Sequence, residues 1–232
     1  MTKLKIKLVY TTESMKEKQK MKEKVKEFIV KNLKWIILFI CLIGFLAIAE
    51  DVFNKEIMNG DIVGYKLIST FLISDFATPI AKFITNFGGA IFLTILTIIL
   101  FILIKNKKIG VSIFSNLAII TALNQLLKNI LQRPRPTEYR IIEETGYSFP
   151  SGHSMISMAF YGYLIYLIYK YVKNKYVKWI SMALLSLLIC SIGISRIYLG
   201  VHYTSDVLGG FLISISYLVI YISAVNKFLI EK

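Results

Sequence analysis

Residues 88–104 read GGAIFLTILTIILFILI, seventeen positions without a charged side chain. A run this long and this apolar reads as a membrane span rather than a strand or a buried core helix. Five further runs of similar character lie at about 35–49, 110–127, 155–171, 180–194 and 207–225. The first and fifth of the six are short and need flanking residues to cross a bilayer. With 56% hydrophobic residues over 232 positions, the chain is too apolar for an ordinary soluble domain. The expected fold is an all-α integral membrane protein: a six-transmembrane-helix bundle over residues 35–232, behind a basic N-terminal cytoplasmic arm, residues 1–34.

The formal charge of +14 does not point to nucleic acid, because of how the cations are distributed. Eleven lysines precede Trp35, three lie in Lys105–Lys108, four in Lys170–Lys178 and two follow Val225. With six spans these segments share one side of the membrane, and eight of the 28 cations remain for the other. The positive-inside rule places the lysine-rich side, both termini included, in the cytoplasm. The basicity then serves topology and contact with anionic lipids of the inner leaflet. The first apolar run begins only near Trp35, so no cleavable signal peptide is expected and that run stays as an anchor. Cys41 and Cys190 both fall within spans and read as small apolar packing residues.

Within the arm, Ser14-x-x-Glu17 fits a capping box. Met21, Val25, Phe28 and Ile29 form one apolar stripe among lysines. Two readings stay open, a helix lying on the inner leaflet and a solvated helix with Glu–Lys pairs. Residues 51–87 carry Asp51, Glu56, Asp61 and Asp75 among moderately apolar stretches. They are expected to form one or two short helices at the outer surface.

The chain has two histidines, each inside a dense polar cluster. His153 closes Phe149-Pro150-Ser151-Gly152-His153, and His202 belongs to Ser195-Arg196-x5-His202-x3-Asp206. A third cluster, Lys128-x6-Arg135-Pro136, lies upstream. One inter-span loop runs from about Lys128 to Ser154, another from about Ser195 to Asp206. Six spans put both on the outer face, so the three clusters meet on one side.

Their residue types suit phosphoryl transfer, in which negative charge spreads over the equatorial oxygens and fixed cations must surround it. Arg135 and Arg196 offer planar forks for bidentate phosphate contact, and Lys128 adds a compact charge. Ser151 and Gly152 sit where the fourth span begins, so their N–H groups are candidates to face the anion. Pro150 suits the helix start. Asp206, four residues past His202, would share its helix face and fix the imidazole tautomer, leaving the other nitrogen to attack phosphorus. His153 is placed to protonate the leaving oxygen. Taken singly, each residue has a plainer reading: a structural histidine, a snorkelling lysine, a loop turn or a helix-start aspartate. Arg133, Arg140, Glu143 and Glu144 read as solvated loop residues.

The order Lys-x6-Arg-Pro, Pro-Ser-Gly-His, Ser-Arg-x5-His-x3-Asp resembles the signature of the type-2 phosphatidic acid phosphatase superfamily, which also includes vanadium haloperoxidases. The resemblance covers roughly residues 85–225 and leaves the arm outside. It implies phosphate binding by Lys128, Arg135, Arg196, Ser151 and Gly152, with His153 as general acid, His202 as nucleophile and Asp206 as its orienter. It implies neither metal nor cofactor for the phosphatase members. The substrates it suggests are lipid phosphates such as phosphatidate, phosphatidylglycerol phosphate and undecaprenyl diphosphate, with the last slightly preferred for an outward-facing site. Alternatives are vanadium-dependent haloperoxidation, a serine hydrolase built on Ser151, His202 and Asp206, and a non-catalytic lipid-phosphate-binding protein. Nothing in a serine hydrolase requires three cations, and the chain lacks the Gly-x-Ser-x-Gly elbow.

Overall fold

The computed structural model describes residues 2–55 and 58–230, with side chains over 21–55 and 58–229. All regular elements among the described residues are helical: α1 (Thr2–Phe53), α2 (Asn59–Phe71), α3 (Ala77–Asn86), α4 (Ala90–Leu103), α5 (Lys107–Leu131), α6 (Gly152–Tyr171), α7 (Lys175–Tyr198) and α8 (Thr204–Val225), followed by a π-helical turn at Asn226–Ile230. Residues 51–87 supply two short helices, as expected. The arm does not begin a separate helix at Ser14: α1 is already helical before it and continues unbroken through the first span. The capping-box side chains lie outside the described residues. Met21, Val25, Phe28 and Ile29 are all exposed on α1.

Local chemistry explains most helix ends. Asn106 caps α5 by accepting from Lys108 N at 3.0 Å, and Asn174 caps α7 by accepting from Val177 N at 3.1 Å. α5 stops where Gln132 turns left-handed (φ 46°), just before Arg133-Pro134-Arg135-Pro136, whose prolines cannot continue a helix. Ser151 is the N-cap of α6, so Pro150 stands just outside the helix rather than in its first turn. Asp206 reaches back from the first turn of α8 to accept from Tyr203 N at 2.9 Å.

α6 packs against α5, α7 and α8 and forms the centre of the bundle. Its Phe160, Tyr163 and Leu167 join Leu93, Ile113, Ile189, Ile192 and Leu218 in the main core. The outer helices turn apolar faces outward, with Ile91 and Leu103 on α4 and Trp179, Leu184 and Leu187 on α7 all exposed, as suits contact with lipid.

A helix occupies each of the six expected span positions, but the six-span count is not met by length and apolarity alone. Four helices pass: residues 21–53 of α1, α5, α7, and α8 with the turn after it. A fifth arises only if α3 and α4, bent by 49° at their break, count as one span. Gly88–Ile104 is therefore not one straight crossing, because Gly89 is the N-cap of a 14-residue helix. α6 falls short, since Gly152–Tyr171 carries His153, Lys170, two serines and five tyrosines.

The 132–151 loop straps the end of the bundle. Ile141 N donates to Leu199 O at 3.0 Å, and Tyr139 stacks on Tyr65 with centroids 4.7 Å apart. Gly200 adopts φ +70°, and a Cβ there would fall 2.0 Å from Tyr139 O. Gly200→Ala is therefore expected to destabilise the folded protein by at least about 1–3 kcal/mol from backbone strain alone. Thermal unfolding in detergent, with limited proteolysis of the strap, checks this.

Candidate active site

Four helix ends meet at one end of the bundle: the C-termini of α5 and α7 and the N-termini of α6 and α8. This brings Lys128, Ser151, Gly152, His153, Arg196, His202 and Asp206 together, and the strap adds Arg135. Gly152 permits the α5–α6 approach, since a Cβ there would lie 3.2 Å from Asn124 Oδ1 and 4.0 Å from Lys128 Cε. Asn124 also donates to Pro150 O at 3.2 Å. Lys128 Nζ donates to Tyr147 O.

His202 is buried and held from both sides. Its Nδ1 lies 3.2 Å from Asp206 Oδ2, and its Nε2 lies 3.1 Å from Arg135 Nη1. A carboxylate only accepts and a guanidinium only donates, so the proton sits on Nδ1 and the Nε2 lone pair faces Arg135. Arg135 also donates to Val201 O at 3.0 Å and to Thr145 O at 3.0 Å. His153, partly exposed, lies under the α3–α4 break, where a Cβ on Gly88 would come within 3.3 Å of its Cδ2. It lies near the positive charges of Arg196, Arg135 and Lys128.

Arg196 is 1% exposed. Its Nη1 donates to Thr85 Oγ1 at 2.9 Å and its Nη2 to Glu144 Oε1 at 2.5 Å. Its Nε finds no partner among the described residues. The other carboxylate oxygen of Glu144 lies 3.9 Å from Arg135 Nη2. One carboxylate thus links the two forks expected to grip phosphate. Glu144 is not the solvated loop residue it resembles in sequence: although burial opposes its charge, Arg196 and Arg135 hold its carboxyl below the usual range.

Ser151 departs from expectation in one respect. Its N–H donates to Asp206 O at 3.0 Å, so that amide ties α8 to α6 instead of facing an anion. Its hydroxyl accepts from Ser154 Oγ at 3.0 Å. From Gly152 onward, the first amides of α6 have no preceding helical carbonyl to bond and remain donors suited to an anion.

Arg133 is not a solvated loop residue either. It bridges two carboxylates, Asp206 Oδ1 and Asp61 Oδ2, each at 2.6 Å, and lies 4.0 Å from the Tyr203 ring centre. Burial works against its charge, but Asp206 and Asp61 outweigh that and raise its pKa. The paired Arg-Pro steps after Lys128 were the available sequence signal, whereas Asp61 gave none. Glu143 does stay at the surface, 90% exposed, whereas Arg140, 3.6 Å from it, is half-buried and donates to Pro136 O at 2.5 Å.

A model of the PAP2 superfamily matches residues 108–230, the stretch that carries all three clusters. The chain belongs to this superfamily. Over 93 residues it is 41% identical to phosphatidylglycerophosphatase B of Bacillus subtilis (strain 168), covering 38% of this chain and 44% of that protein's length. It is 26% identical over 195 residues to an undecaprenyl-diphosphatase of Sulfolobus acidocaldarius, covering 79% of this chain and 86% of the relative. The crystal structure of a transmembrane PAP2-type phosphatidylglycerolphosphate phosphatase from Bacillus subtilis superposes with a TM-score of 0.72 at 26% identity, over 82% of this chain and 96% of that one.

Burial first, then Arg196 and Arg135, overcome the pull of Asp206 and lower the His202 pKa to about 4. The sign is clear: a lowered value keeps the imidazole neutral, with its lone pair free of a proton, down to about pH 4. In nitrogen-labelled histidine NMR, one histidine is expected to titrate near pH 4, and His202→Ala is expected to remove that titration.

Proposed function

We propose that this chain is an integral-membrane lipid phosphatase working through a phosphohistidine. The observation that carries this reading is the His202 geometry: Nδ1 is pinned by Asp206 and Nε2 points at the guanidinium fork of Arg135. In the reaction, the substrate phosphate draws Arg135 off Nε2, and the freed lone pair attacks phosphorus. The P–O bond to the lipid breaks in line, and His153 passes a proton to the departing oxygen. A water molecule then attacks the phosphohistidine, returns a proton to His153 and releases phosphate. Lys128, Arg135 and Arg196 oppose one carboxylate, Glu144, leaving two positive charges for a phosphate dianion. A dianion among these groups also stabilises a proton on His153.

The chain crosses the membrane six times in this reading. α6 serves as a span despite its polarity because neighbouring helices, not lipid, surround its polar side. The lysine-rich ends of α1, α5, α6, α7 and α8 lie opposite the site, which supports cytoplasmic termini and an outward-facing active site. Residues 1–34 act as a basic arm against the anionic inner leaflet. A cavity of about 1260 Å³ beside His202, lined in part by Val52, Phe53, Ile62, Ile130 and Leu131, suits an amphiphile whose chain stays near the bilayer. Undecaprenyl diphosphate is the leading substrate for a site on that face. Phosphatidylglycerol phosphate is the second reading, favoured by the 41% identity to phosphatidylglycerophosphatase B.

Purified protein in detergent, without added metal, is expected to release phosphate from at least one of these two lipids, and the ratio between them assigns the substrate. His202→Ala is expected to lose both turnover and the acid-labile phosphoenzyme. Phosphate release undiminished in that variant would remove the nucleophile assignment. Glu143→Cys in intact cells is expected to react with a membrane-impermeant thiol reagent added outside. Labelling only after the membrane is breached would reverse the topology.

A further inference from the structure

Asp61 lies on α2, outside the stretch matched by the family model, yet it is 6% exposed and makes three short contacts. Its Oδ1 accepts from Ser205 N at 2.8 Å, and its Oδ2 accepts from Ser205 Oγ at 2.9 Å and Arg133 Nη2 at 2.6 Å. The Ser205 amide belongs to the first turn of α8, the helix that also carries Asp206. Asp61 therefore meets the positive end of that helix as well as the guanidinium. Arg133 Nη1 in turn donates to Ser205 Oγ at 2.7 Å and Asp206 Oδ1 at 2.6 Å.

Two things follow from this chain of contacts. Asp206 is fully buried, and both its oxygens are engaged, Oδ1 by Arg133 and Oδ2 by His202 and Tyr203 N. Its rotamer is fixed, and with it the His202 ring. The charge also matters. Arg133 alone would neutralise Asp206, leaving little net field to stabilise an imidazole that becomes cationic as it is phosphorylated. Asp61 cancels Arg133, so the three groups together carry one negative charge behind the nucleophile.

We infer that Asp61 and Arg133 are positioning residues for the phosphatase reaction: Arg133 orients Asp206, and Asp61 offsets the arginine so that Asp206 keeps its charge for His202. The inference rests on the proposed phosphohistidine chemistry. The other charged or titratable groups facing His202 are Arg135 and Glu144 from the strap, Arg196 on α7, Lys128 on α5, His153 on α6 and the adjacent Tyr203. None changes in the variants that test the idea.

Asp61→Asn is expected to lower kcat on the order of 10-fold, the effect of losing one charge-assisted contact, with KM nearly unchanged because Asp61 does not touch the phosphate. Arg133→Gln leaves two carboxylates unopposed, so the acid limb of kcat/KM should move to higher pH. Asp61→Asn/Arg133→Gln restores the single negative charge and should bring that limb back toward wild type. A merely structural role would reduce the active fraction in all three without moving the limb. An unmoved limb in Arg133→Gln, or an Asp61→Asn variant that raises KM at constant kcat, would overturn the inference. If Asp61→Asn does not fold, Arg133→Gln and the double variant still decide it. Wild-type protein that releases no phosphate would instead defeat the phosphatase reading itself.

Discussion

Arg133 grips Asp206 with one nitrogen and Asp61 with another, each at 2.6 Å, at the end of a bundle whose main core is aliphatic and aromatic. A guanidinium left unpaired at such a depth would cost about 3–5 kcal/mol, so the surrounding segments fold to bring carboxylates to it. α2 brings Asp61, α8 brings Asp206, and the turn after α5 brings the arginine. The same constraint recurs at Arg196, 1% exposed and met by Glu144 from the strap. The loops at this end of the molecule are arranged by charge compensation as much as by apolar packing.

That compensation fits the proposed phosphohistidine chemistry. The cations of the cradle exceed their nearby carboxylate, which suits an anionic substrate, while the groups behind His202 carry net negative charge, which suits a developing imidazolium. Under the proposed mechanism, opposite excesses on the two sides of one ring favour moving a phosphoryl group onto it. Keeping both within one buried end requires the ordered hydrogen bonds described above, because imperfectly paired charges in a low-dielectric site are costly.

The helical character and the position of every apolar run were legible in residue order, since a bilayer demands long uninterrupted stretches. The eight expected site residues were legible as candidates, and the structure gathers them at one end of the bundle because their spacings place them around helix ends. Arg133 and Glu144 were visible but misread as solvated: a charged loop residue looks the same in sequence whether water or an opposite charge surrounds it. The amide of Ser151 was assigned to an anion on its position at a helix start, yet α8 supplies a carbonyl for it. α6 was read as an ordinary span, whereas it is less apolar than the other long helices and packs among α5, α7 and α8.

Sequence alone determined the helices, the lysine asymmetry between the two ends of the bundle and the spacing of the candidate site residues, because each depends on neighbours a few residues apart or on composition. Tertiary structure decided which partner each charge meets. Arg133 stands 72 residues from Asp61 and 73 from Asp206, and Arg196 and Glu144 are 52 apart. Residue order carries no mark of such pairs. They form because helix packing brings distant chain segments to one end, where burial leaves an unpaired charge no cheaper alternative.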